Sequence, residues 1–142
     1  MPDDAERPDL LVDTSVAVAL VVVDHDQHAA TVTALRGRSL GLAGHAAFET
    51  FSVLTRLPAP LRMTPAAVEE LLRGNFARTR FLGVTAAARL ADRLGSLGIA
   101  GCAVYDALVG AAALEHGVRL ATRDRRAIGT YRALGVDVEV LA

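Results

Sequence analysis

Asp13, Glu49, Asp106 and Asp124 are acids placed where apolar runs end or break, at intervals of 36, 57 and 18 residues. Asp13 closes LLVD and is followed by two hydroxyls, Thr14 and Ser15. Asp124 stands two residues past VRLAT, Asp106 interrupts GCAVYDALVGAAAL, and Glu49 lies within HAAFETFSVLTRL. Carboxylates brought to one place repel each other, and a hard divalent cation relieves the repulsion. Mg²⁺ takes oxygen ligands, is held by a few carboxylates plus substrate phosphate, and keeps several waters. The chemistry open to such a set is metal-assisted attack of water on a phosphate ester.

Each acid also has a plainer reading. Asp13 and Asp124 both precede predicted helices, where Asp is a favoured N-cap. Asp106 sits on a helix that is apolar nearly all round, which predicts burial. An ionised carboxylate there needs a metal or a partner such as an Arg or backbone groups. His45, Glu49, Ser52 and Arg56 follow one another at helical spacing, a stripe that suits solvent or the wall of a cleft. The histidines of DHDQH (24–28) read as a solvated helix start, and no Cys/His set with zinc spacing is present. GxGxxG, GxxxxGK[ST] and GxSxG are all missing. The single cysteine, Cys102, excludes an intrachain disulfide and reads as a small buried filler rather than a nucleophile.

The elements that must position these residues alternate. LLVD (10–13), SLGLAG (39–44), RFLGVT (80–85), VRLAT (118–122) and VDVEVLA (136–142) read as strands. Helices are predicted over 15–22, 24–37, 45–57, 65–74, 86–98, 105–117 and 124–135, with Thr64 and Pro65 opening the fourth. Alternation of this kind predicts an α/β fold, a central parallel sheet with helices on both faces. Ligands then bind beyond the carboxyl ends of the strands, the rim to which Asp13 and Asp124 are both assigned. Residues 1–142 read as one domain, with 1–8 a short loose tail.

Apolar residues make up 52% of the chain, enough for a core, and with no Trp that core must be built from Ala, Val and Leu. All 15 basic residues are Arg and the net charge is −1, so contact with nucleic acid requires a local patch. The acidic start lacks the basic opening of a secretory signal. The apolar run from Val16 to Val23 is too short to span a bilayer. No membrane association and a cytoplasmic location are expected.

DTS (13–15), Glu49 in a helix, YDA (105–107) and TRD (122–124), in this order and spacing, resemble the PIN-domain ribonucleases, and more closely the VapC toxins of bacterial toxin–antitoxin pairs. The likeness runs from Asp9 to the final strand, and carries no motif between Pro58 and Arg80. It implies a PIN-like fold in which Asp13, Glu49, Asp106 and Asp124 form an acidic site for Mg²⁺, with Mn²⁺ as substitute. Thr14, Ser15 and Thr122 would be the hydroxyl neighbours that orient ligands or water. It also implies an RNA substrate, a homodimer and a cognate antitoxin.

The activity expected is therefore metal-dependent endoribonuclease cleavage, with Asp13 and Asp106 in direct metal contact and Glu49 and Asp124 acting through water or a second ion. Arg123, Arg125 and Arg126 surround Asp124. Cations at a helix start oppose its dipole, a hint that they meet the substrate backbone. With few aromatic residues, RNA shape rather than base stacking is expected to set the target. The alternatives are a PIN-fold module that binds RNA or a partner with little turnover, and another metal-dependent phosphohydrolase. A receiver-like signalling domain needs a lysine that this chain lacks, and an Asp-nucleophile phosphohydrolase needs DxD where position 15 is Ser.

Overall fold

Four short strands, three of them fully buried, form the sheet of the computed structural model, which describes residues 6–142. In chain order the elements are β1 (Leu10–Val12), α1 (Thr14–Val21), α2 (His28–Leu35), β2 (Leu40–Leu42), α3 (Ala46–Thr55), α4 (Pro65–Asn75), α5 (Val84–Arg93), α6 (Ala103–His116), β3 (Leu120–Thr122), α7 (Ile128–Leu134) and β4 (Val138–Val140). The strands are all parallel, in the order β2-β1-β3-β4.

Side chains alternate across a strand, and the sheet uses both of its faces. Leu10, Val12 and Ala121 pack with Val16 and Ala17 of α1, Leu35 of α2, Leu54 of α3, and Val68 and Leu72 of α4. Leu11 and Leu120 pack on the other side with Leu90 of α5, Val109 and Ala113 of α6, and Tyr131 and Leu134 of α7. A strand buried on both faces has little room for polar side chains, and β1, β2 and β3 are fully buried triplets whose one polar residue, Thr122, spends its hydroxyl on Asp13.

The chain leaves β1 for β2 on one side and returns to β3 on the other. The crevice of such a sheet opens where the connections diverge, beyond the carboxyl ends of β1 and β3. Asp13 follows the last residue of β1, and Thr122 is the last residue of β3.

Some expectations are corrected. RFLGVT forms no strand: Arg80 makes one parallel bridge to Ala43, and the N–H groups of Arg78 and Arg80 donate to the Leu40 and Leu42 carbonyls at 3.2 and 3.1 Å. Phe81 is exposed, and Gly83 already caps α5, so the run is too short of buried residues to continue. Helix 24–37 contracts to His28–Leu35, behind a turn. Helix 124–135 begins only at Ile128. Cys102 is exposed, not buried, because it lies in the turn that enters α6. Residues 1–5 of the predicted tail lie outside the described residues. Its remaining part is tethered, with Arg7 donating to the Gly117 carbonyl and Arg80 to the Glu6 carbonyl. No described helix is long and apolar enough to cross a membrane.

Gly41, central in β2, lets the 78–80 segment lie against the sheet: a Cβ there would stand 2.0 Å from the Arg78 carbonyl oxygen. Gly41→Ala is expected to destabilise the chain by about 3 kcal/mol, the upper end for overpacking, because backbone rather than a side chain must move. Urea unfolding reads this. A parental midpoint would mean that the segment is not held against β2.

Candidate functional site

Asp13 is 4% exposed and caps α1. Its Oδ1 accepts from the Val16 N–H at 3.3 Å and from Ser15 Oγ at 2.5 Å. Its Oδ2 accepts from the Thr122 hydroxyl and from Tyr131 Oη at 2.9 Å. The two hydroxyls are themselves oriented: Ser15 Oγ accepts from the Arg123 N–H at 2.9 Å, and Thr122 Oγ1 from the Asp124 N–H at 3.0 Å. The capping reading of Asp13 is thus correct, and the same carboxylate also joins β1, β3 and α7. Burial pushes the Asp13 carboxyl above its ordinary range, and the donors from Ser15, Thr122, Tyr131 and Val16 pull it back.

The other three acids arrive from separate elements. Glu49, in the first turn of α3, accepts from Thr14 Oγ1 at 2.7 Å. Asp124 does not cap α7; its Oδ1 accepts from the Arg126 N–H at 3.0 Å and Nε at 3.3 Å, closing a turn two residues long. Asp106 lies in the first turn of α6, partly buried, with no hydrogen-bond partner among the described residues. Burial and then the charges of Asp124, Glu49 and Asp13 push its carboxyl up to about 6, against a lowering pull from Arg126. Asp106 therefore lies in the field of the other three acids.

All four line one cleft of about 240 Å³, with Thr14, Ser15, Val53, Arg56, Val109 and Tyr131. Water occupies about 30 Å³ in the liquid, so the cleft takes several waters or a hydrated ion. No three described His, Cys, Asp or Glu side chains converge closely enough to hold a metal by themselves. The hydrogen bonds account for this, since Asp13, Glu49 and Asp124 are each turned onto a neighbour and only Asp106 is uncommitted. A donor set of carboxylates and hydroxyls fits Mg²⁺ or Mn²⁺, which accept few protein ligands and keep water, and does not fit zinc.

Of the arginines around Asp124, Arg123 is committed to α2, donating to Gln27 Oε1 at 2.7 Å and Thr31 Oγ1 at 3.3 Å. Arg126 is bound to Asp124. Arg125 is exposed beside them along a second, adjoining hollow. Sequence reasoning missed Tyr131. Its signal is that a tyrosine in a short core-facing helix must find a partner for its hydroxyl. At 1% exposure, and with its ionisation pushed far up by burial and by Asp13, it serves as a fixed donor.

The PIN-domain family model matches residues 10–133. Ribonuclease VapC27 of Mycobacterium tuberculosis (strain ATCC 25618 / H37Rv) is 48% identical over 136 residues, covering 96% of this chain and 99% of that protein. Ribonuclease VapC40 of Mycobacterium tuberculosis (strain CDC 1551 / Oshkosh) is 45% identical over 131 residues, covering 91% and 96%. Among solved structures, FitAcB from Neisseria gonorrhoeae superposes with a TM-score of 0.67 at 20% identity, covering 91% of this chain and 95% of that one. VapBC2 from Rickettsia felis, bound to a DNA fragment from their promoter, gives 0.63 at 13% identity, covering 94% and 98%. At these identities the structural likeness is one of fold.

Two substitutions in the cleft should move stability in opposite directions. Asp106 holds its proton more tightly in the folded chain than at its ordinary value of 3.8. Its contribution to stability is thus complete below pH 3.8 and lost as pH rises through about 6. Asp106→Asn removes that loss and should raise metal-free stability at neutral pH, by on the order of 1 kcal/mol after solvent screening of a partly exposed carboxylate. Tyr131→Phe strips a donor from a buried carboxylate and should cost about 1.5–3 kcal/mol. Thermal unfolding in chelator checks both, and equal shifts of the same sign would contradict the assignment.

Proposed function

The chain belongs to the PIN-domain family, and on that premise we propose that it is a Mg²⁺- or Mn²⁺-dependent endoribonuclease, the toxin of a toxin–antitoxin pair restrained by a cognate antitoxin. The observation that carries the reading is the meeting of four carboxylates in one cleft, where Asp106 is raised to about 6 by burial and by the other three. The relatives named Ribonuclease VapC27 and VapC40 support RNA as substrate. The solved VapBC2 assembly supports a protein partner. A homodimer and a cytoplasmic location belong to the same proposal.

Asp106 and Asp13 would hold the cation, and Glu49 and Asp124 would accept from its waters. When bound, the ion supplies an acidified water and positive charge against the phosphate. The residues of the chain do the positioning. Thr14 holds Glu49 at the end of β1. Ser15, Thr122, Tyr131 and the Val16 N–H fix both oxygens of Asp13, so its charge is presented in one orientation. Val53 and Val109 give the cleft apolar walls, which strengthen charge interactions within it. In the net reaction water adds to phosphorus and the bond to the 3′ oxygen breaks, leaving a 5′-phosphate and a 3′-hydroxyl.

One observation favours a second reading, an RNA- or partner-binding module with little turnover: no three described acids, histidines or cysteines close on a single point. Cleavage of a mixed cellular RNA pool by the partner-free protein separates the two. With Mg²⁺ or Mn²⁺ the parent should cut, chelator should stop it, and Asp106→Asn should lower the rate about 100-fold or more while the circular dichroism spectrum is unchanged. Asp13→Asn should lower it as far, with a reduced unfolding temperature because one acceptor among the bonds to Thr122 and Tyr131 or to Ser15 and Val16 becomes a donor. RNA bound but uncut by a folded, metal-loaded parent would establish the second reading.

A further inference from the structure

Arg56 is the one basic residue among the described residues that line the acid cleft. Glu49, Val53 and Arg56 occupy positions i, i+4 and i+7 of the α3 segment, so all three follow one side of the helix. At about 1.5 Å of rise per residue, Arg56 stands about 10 Å along the helix from Glu49. The acids and this cation are therefore successive stations on one wall of the cleft.

The guanidinium is also uncommitted. Its Nε reaches Ser52 Oγ at 3.3 Å, a long bond to a neutral group, and none of the ion pairs among the described residues includes it. Arg123 and Arg126, nearby in the adjoining hollow, are engaged with Gln27 and Asp124. As the C-cap of α3, Arg56 does complement the helix dipole, a small contribution that any outward-facing cation would make. That role does not account for its place in a cleft whose other charged residues are all acids. A polyanion entering there meets four carboxylates and needs a cation beside them, and a guanidinium offers a planar fork matched to phosphate oxygens.

We propose that Arg56 seats an RNA phosphate next to the one presented to the acids, so that the strand runs along α3 from Arg56 to Glu49. The inference rests on the ribonuclease reading and adds the direction and one subsite of the bound strand.

The test measures binding of a short single-stranded RNA of mixed sequence, in an Asp106→Asn background that does not turn it over, across a salt series. Arg56→Ala should weaken binding about tenfold, the loss of one charge-assisted contact. The slope of log affinity against log salt should fall by about 0.7, one phosphate fewer on a single strand. Arg56→Lys keeps the charge but not the fork and should retain most of the slope and part of the affinity. Calorimetry of Mg²⁺ binding to the RNA-free protein, with Asp106 intact, should show Arg56→Ala binding the ion as tightly as the parent or more so. Unchanged RNA affinity and slope would overturn the proposal. So would a loss of RNA binding matched by lost Mg²⁺ binding, or by an unfolding temperature lowered by far more than the few degrees that loss of the helix-dipole complement accounts for, which would make Arg56 structural. A parent that binds Mg²⁺ yet neither binds nor cuts RNA would remove the ribonuclease reading itself.

Discussion

The constraint on which the rest of the structure depends is the burial of one carboxylate. Asp13 lies at the point where β1 gives way to α1, almost wholly removed from solvent. A buried charge is tolerated only when its lone pairs are met. Here four donors meet them, from α1, β3 and α7, and two of those donors are in turn fixed by backbone N–H groups after β3. Satisfying Asp13 therefore sets where β1, β3 and α7 stand relative to one another, and with them the loop that bears Asp124. Thr14 extends the arrangement to α3 through Glu49. The cleft is a consequence of how one acid is accommodated.

The same arrangement concentrates negative charge. Three of the four acids are tied to donors, and the fourth, Asp106, is left in their field with nothing to bond among the described residues. A fold selected for stability alone would dilute or pair that charge. Natural chains give up stability at sites that serve function, and the unpaired Asp106 is where this chain does so. An oxygen-rich, acid-lined cleft with a single cation among the described residues on its walls suits a phosphate backbone that approaches together with a divalent ion.

Much of this was legible in the sequence, for physical reasons. Short apolar runs alternating with amphipathic ones define a parallel sheet, and the buried triplets of β1, β2 and β3 fall inside the runs that predict them. DTS and TRD mark the two strand ends because polar residues directly after a buried strand can only stand at its rim. What was not legible depended on tertiary contact. RFLGVT has the composition of a strand, but Phe81 is exposed and the run makes one bridge, Arg80 to Ala43, among the described residues. Cys102 and its apolar neighbours do not reveal that the turn before α6 is exposed. The Tyr131 hydroxyl finds a partner 118 residues away, a pairing that no local pattern encodes. Arg56 looked like part of a polar stripe, and only the packing of α3 shows that Glu49 and Arg56, with Val53 between them, line a cleft.

The most direct test of the central claim, that the four acids form one coupled site built on Asp13, is the titration of the Asp106 carboxyl carbon by nuclear magnetic resonance, with and without Mg²⁺. The account predicts a midpoint near 6 in the metal-free protein, a lower midpoint in Asp124→Asn or Glu49→Gln, and a marked fall when Mg²⁺ is added. An Asp106 that titrates at the ordinary value of 3.8 and ignores both the substitutions and the ion would contradict it.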